Sequence, residues 1–158
     1  MTTLPRTALP DKHFTATGFV VRDCKVLLVN HRKLKMWLPV GGHIEPGEDP
    51  EQALHREVRE ETGLEVEIVA ETMRFATGLA KGLPRPETIL LETIGPGHFH
   101  IDLIYFARVV AGEPRLAVAE HSEMRWFSDM ELKVHEITDD VRILGRRAIE
   151  ALASSPSE

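Results

Sequence analysis

Residues 42–64 read GHIEPGEDPEQALHREVREETGL, and this stretch decides the fold because it spells out a helix, both of its ends and its working face. Asp49 can accept a hydrogen bond from the backbone N–H of Gln52. Pro50, at the first helical position, gives up no intrahelical donor, and Gln52 can reach back to the cap. Gly63 closes the helix, since a residue without a Cβ takes the left-handed conformation at little cost. Residues 50–62 are thus expected to form about three and a half turns. At about 100° per residue, Glu57, Glu60 and Glu61 fall within an arc of about 100°, while Leu54 and Val58 lie to one side of it and can face a core.

An acidic run on a helix is ordinarily a solvated surface. Convergence makes this one different, because two carboxylates about 4 Å apart repel by roughly 4 kcal/mol at an effective dielectric of 20. Protons or cations must relieve that strain. Oxygen ligands select hard divalent ions, which favours Mg²⁺, with Mn²⁺ as the alternative, over zinc. The charge balance agrees: 25 acidic against 19 basic residues leave a formal net charge of −6, a field that repels a polyphosphate unless a cation bridges the two. No basic stripe able to grip a nucleic-acid backbone is seen, the nearest being His31-Arg32-Lys33-Leu34-Lys35. Binding to long nucleic acid is therefore not expected, while a capped RNA end offering its terminal phosphates stays open.

Within the same stretch Gly42, Glu48, Arg56, Glu57, Val58, Glu60, Glu61, Gly63 and Leu64 fit the pattern G-x5-E-x7-R-E-U-x-E-E-x-G-U, U being aliphatic, with nothing missing or substituted. A chance match in a chain of this length has a probability on the order of 10⁻⁸ to 10⁻⁷. The segment resembles the Nudix box, and the chain is identified by it as a member of the Nudix hydrolases. That resemblance implies hydrolysis of a nucleoside diphosphate linked to another group X. It assigns the divalent cations to Glu57, Glu60 and Glu61, with Glu48 in support and Arg56 orienting a catalytic carboxylate. The carbonyl of Gly41, just before the box glycine, would complete the metal shell. The family draws its general base either from the box or from a loop before a late strand carrying a tryptophan, here Trp126. Glu120 matches that loop position better than Glu123, which reads as a solvated charge.

Length and composition suit one domain. A chain of 158 residues with 42% hydrophobic content can bury a single core, so residues 1–158 are taken as one domain with its core at about 13–153. Residues 1–12, with two prolines and no apolar run, read as an irregular lead-in and not a signal peptide, and residues 154–158 as a frayed tail. No apolar stretch is long enough to span a membrane. The lone Cys24 in a polar turn reads as a reduced thiol, which points to the cytoplasm. Strands are expected at 13–21, 25–30, 38–43, 64–75, 100–110 and 123–127, and a packing helix at 138–153 with Val141, Leu144, Ala148 and Leu152 as its stripe. In the strand at 100–110, Ile101, Leu103, Tyr105, Ala107 and Val109 share a face. Helices on both sides of a mixed sheet make an α/β/α sandwich, the fold that the resemblance also implies.

Substrate identity is less legible. Positions 79–82 read Leu-Ala-Lys-Gly and so lack the proline or tyrosine that marks the ADP-ribose and dinucleoside polyphosphate types of the family. The NADH-type and coenzyme A signatures are missing too, and Val40 stands before Gly41 and Gly42 where many members have proline. A nucleoside triphosphate or a related nucleotide is left as the leading class. The alternatives are a non-nucleotide pyrophosphate and a non-catalytic nucleotide-sensing module. Arg32 is a candidate phosphate contact. His98, His100 and Asp102, alternating along a strand opposite its apolar face, are candidate substrate contacts; zinc on those three is the rival reading, with no cysteine to join them. The segment 79–99, with Pro84, Pro86 and Pro96, reads as a loop bordering a pocket. A homodimer is the assembly suggested by family likeness.

Overall fold

A computed structural model describes residues 10–153 of the chain. Its elements are β1 (Asp11–Arg22), β2 (Lys25–His31), β3 (Trp37–Leu38), β4 (Val40–His43), α1 (Pro50–Thr62), β5 (Leu64–Ile68), β6 (Thr88–Gly95), β7 (His98–Gly112), β8 (His121–Phe127), α2 (Asp129–Val134) and α3 (Asp139–Ala153). The strands form one mixed sheet of order β3-β2-β1-β7-β5, with β4 paired to β1, β6 to β7 and β8 to β2.

The centre of the sheet is the parallel pair β1/β7, in register from Asp11 opposite His98 to Val21 opposite Arg108. All other pairs are antiparallel. β1 turns into β2 through Asp23 and Cys24, both at positive φ, as a tight hairpin turn requires. Near its start, β1 takes β4 as its second neighbour, with Thr15 opposite His43 and Thr17 opposite Gly41. That pairing carries the double glycine to the middle of the sheet.

The helices occupy opposite faces. On one, Ala53, Leu54 and Val58 of α1 pack on Ala16, Val20 and Tyr105. On the other, Val141, Leu144 and Ala148 of α3 pack with Leu132 of α2 on Phe19, Phe106 and Phe127. This is the expected α/β/α sandwich. Gly18 lets α1 lie close over β1, since a Cβ there would stand 3.0 Å from Leu54 Cδ1 and push that side chain back by a few tenths of an ångström. Among the described residues no helix is long and apolar enough to cross a membrane.

Several boundaries differ from the sequence reading. Residues 1–9 and 154–158 lie outside the described residues, but Asp11 and Lys12 belong to β1, because pairing with His98 and Phe99 extends the strand past the end of its apolar run. The strand expected at 64–75 stops at Ile68, because from Ile104 back to His98 the same edge of β7 is taken by β6. The expected loop 79–99 contains β6, whose Thr88–Thr93 pair with β7; the flanking prolines and glycines obscured a short alternating run. Helix α2 also escaped the reading, although Ser128 and Glu131 form a complete capping box at its start.

Candidate active site

Helix α1 begins and ends where the sequence places it. Asp49 caps it in a reciprocal box with Gln52, and Gly63 closes it at φ 71°. The helix starts just after the β4 strand and its glycines, so its acidic face meets the backbone of residues 41–43.

Arg56 organises that face. Its Nε donates to Glu48 Oε1 at 2.6 Å and its Nη2 to Glu48 Oε2 at 3.0 Å, forming a fork. Nη1 donates to Glu57 Oε1 at 2.8 Å, and Nη2 to the His43 carbonyl at 3.0 Å. A planar guanidinium with five donors is suited to holding two carboxylates and a carbonyl at once. The Glu48 carboxyl is held below its usual range by Arg56 and then by the Glu45 backbone N–H. Glu60 takes a longer bond from Arg56, 3.3 Å, with its side chain 60% exposed; it stands at the solvent edge and does not line the cleft.

Both glycines sit in close contact, Gly41 against backbone and Gly42 against the end of a side chain. A Cβ on Gly42 would lie 2.5 Å from Glu57 Cδ, and one on Gly41 2.7 Å from Thr17 Cα. The β4 backbone therefore lies directly on the Glu57 carboxylate.

Glu61 is buried, at 5% exposure, and its Oε2 pairs with His121 Nε2 at 2.8 Å. Burial raises its carboxyl, opposed by His121 and reinforced by Glu57. One ligand atom each from Glu61, Glu120 and His121 lies within 4.8 Å of the others, a spacing that can hold a metal ion. His121 Nδ1 is buried without a hydrogen-bond partner. A buried carboxylate lacking a Lys or Arg partner, next to an unsatisfied imidazole nitrogen, fits a cation-binding cleft. With Glu57, Gly41, Gly42 and His43, these residues line a cleft of about 360 Å³.

His121 was not singled out in the sequence, where it is one histidine in a polar stretch. Its role depends on the β2/β8 pairing, which sets His31 opposite His121 at a register shift. Arg32, directly after β2, flanks the same cleft beside the loop before β8. Its Nε donates to the Val118 carbonyl at 2.6 Å and its backbone N–H to the Glu120 carbonyl at 3.0 Å, so it braces the loop carrying Glu120.

Of the three alternating residues of β7, two line one cleft and the third stands at its rim, against His100. Asp102 is buried and its Oδ1 accepts from the hydroxyls of Thr15 and Thr17, both at 2.8 Å; burial raises its carboxyl, against those two bonds. With Thr15, Thr17, Glu92 and His100 it lines a second cleft, which shares Leu38, Pro39, Gly41, Gly42 and His43 with the first. His98 turns instead to Asp11, Nδ1 to Oδ2 at 3.1 Å.

A sandwich of this topology, with an acidic helix face closed over a double-glycine strand, defines a class of hydrolase fold, and comparison with known proteins gives its family. The chain belongs to the NUDIX family: the NUDIX domain model matches residues 12–146. It is similar to the crystal structure of a NUDIX-family hydrolase from Clostridium perfringens, with 35% identity, a TM-score of 0.77, and coverage of 89% of this chain and 97% of that one. The MutT NUDIX hydrolase of Burkholderia pseudomallei shares the fold at 23% identity and a TM-score of 0.66, again over 89% and 97%. Among curated relatives, the NAD-capped RNA hydrolase NudC of Pasteurella multocida (strain Pm70) is 44% identical over 50 residues, 30% of this chain and 19% of that protein. The match thus spans less than a fifth of that relative's length. The protein is a Nudix hydrolase, of a family that cleaves pyrophosphate linkages.

Proposed function

We propose that the protein hydrolyses a phosphoanhydride in a nucleoside diphosphate linked to X, with Mg²⁺ or Mn²⁺ as cofactor and a nucleoside triphosphate or related nucleotide as substrate. The observation that carries this reading is the buried Glu61, set with Glu57, Glu120 and His121 around one cleft. Glu57, Glu61 and the Gly41 carbonyl would hold the cations in the cleft, with Glu60 joining them from its solvent edge. When bound, divalent ions supply neutralisation of the diphosphate and acidification of a water molecule.

The chain's own residues do the rest. Arg56 fixes Glu57 and Glu48 in place, and His121 orients the Glu61 carboxylate. Glu120, at the mouth of the cleft on a loop tied to Arg32, accepts a proton as general base or lends an auxiliary ligand. The adjoining cleft receives the remainder of the substrate. Its two carboxyls, the buried Asp102 and the partly buried Glu92, are both raised by burial; Glu92 reaches about 7, and a carboxyl that keeps its proton near neutrality can donate as well as accept a hydrogen bond.

A panel of nucleoside triphosphates, dinucleotides and non-nucleotide pyrophosphates tests this, with Mg²⁺ or Mn²⁺ and with phosphate and pyrophosphate release scored separately. Turnover of a nucleotide that ceases in excess chelator is expected. Turnover of non-nucleotide pyrophosphates alone would overturn the substrate class, and nucleotide binding without turnover would overturn the enzymatic reading.

A further inference from the structure

The parallel register of β1 and β7 places Asp11 opposite His98 and His13 opposite His100, and β4 brings His43 beside them. Four imidazoles result in one cluster: ring centroids are 4.8 Å apart for His13 and His98, 5.3 Å for His13 and His43, 4.8 Å for His43 and His100, and 5.4 Å for His98 and His100. Asp11 is the carboxylate that joins two of them, with His13 Nε2 at 2.9 Å from Oδ1 and His98 Nδ1 at 3.1 Å from Oδ2. None of these three residues lines the catalytic cleft.

We infer that Asp11, His13 and His98 form a second cation site, selective for a borderline transition ion such as Zn²⁺ and separate from the carboxylate cleft. Ligand bonds of about 2.0–2.1 Å in a tetrahedron put neighbouring ligand atoms about 3.3 Å apart. The two imidazoles meet different oxygens of Asp11, at 2.9 and 3.1 Å, so either contact can open by a few tenths of an ångström into a ligand–ligand edge while the other ring shifts toward the shared ion. All three residues present one ligand atom within 4.8 Å of the others. Two imidazoles and one carboxylate suit zinc, copper or nickel, whereas a hard ion such as Mg²⁺ prefers oxygen. The ligand set differs from the one that alternation along β7 suggests, because Asp102 is committed to Thr15 and Thr17.

The test is a Co²⁺ titration of the chelator-stripped full chain in excess Mg²⁺, followed by visible absorption and reversed with Zn²⁺. One equivalent of Co²⁺ should give the intense bands of a low-coordinate, nitrogen-containing site, and Zn²⁺ should bleach them. Asp11→Asn and His98→Ala should each weaken Co²⁺ binding at least tenfold, while Glu61→Gln should leave it unchanged. His13→Gln is the further probe should either variant melt early in the absence of metal. Absence of a Zn²⁺-displaceable band would overturn the proposal. So would equal affinity in well-folded Asp11 and His13 variants, or loss of the band in Glu61→Gln instead.

Discussion

Replacing Glu61 by Gln offers a direct measure of what the cleft is built to hold. Burial pushes the Glu61 carboxyl up from its ordinary 4.5 to about 7, so at about 1.4 kcal/mol per pH unit its ionisation costs the cation-free fold about 3 kcal/mol. The folded state binds the proton more tightly than the unfolded chain, so stability falls as pH rises from about 4.5 to about 7, and the full cost stands above that. Gln keeps the shape and can still bond His121, yet carries no charge. In chelator at pH 8, Glu61→Gln should therefore melt higher than the wild type by roughly 6–12 °C, taking 2–4 °C per kcal/mol for a domain of this size. At pH 4.5 the two should melt together. Adding Mg²⁺ at pH 8 should raise the wild-type midpoint and close most of the gap, because a ligand that binds only the folded state stabilises it by mass action. Differential scanning calorimetry across this pH range, with and without Mg²⁺, is the assay. Equal or lower stability of the variant in chelator at pH 8 would refute the claim that Glu61 is a strained, uncompensated charge. Turnover should vanish in the same variant, which separates loss of function from loss of fold.

Gly42→Ala should fold, because the clash falls on the mobile end of Glu57, but the displaced carboxylate should raise the Mg²⁺ needed for half-maximal rate about tenfold or more; an unchanged Mg²⁺ requirement would remove Glu57 from the metal shell. Glu120→Gln should lower kcat by about 10² to 10⁴ with little change in KM if it is the base, or recover its rate at high Mg²⁺ if it is a ligand, while Glu123→Gln stays near wild type; normal kinetics at every Mg²⁺ concentration would return the base to the box. Glu92, raised to about 7 by burial and then by Asp102 and Asp140, also binds its proton more tightly when folded. Glu92→Gln should accordingly stabilise the protein by about 1 kcal/mol at pH 8, after discounting for its half-exposed side chain, and by nothing near pH 4; denaturant midpoints at the two pH values check it.

The amino-acid sequence by itself determined helix α1, because every device that starts, stops and faces it is local. Asp49, Pro50 and Gln52 act within one turn, Gly63 acts through its own φ, and the spacing of Glu57, Glu60 and Glu61 follows from helical pitch. The sandwich was legible for a related reason, since periodicity along β7 and α3 reports which side chains face a core. Tertiary structure alone decided what sits opposite those elements. His121 reaches Glu61 across 60 residues of chain, and Thr15 reaches Asp102 across 87. Arg32 Nε meets the Val118 carbonyl across 86 residues of chain, and Asp11 meets His98 through a parallel register that no short-range pattern encodes. The end of β5 and the existence of β6 were likewise set by where β7 offers a partner. A strand's pairing belongs to two segments at once, and its limits cannot be read from either one.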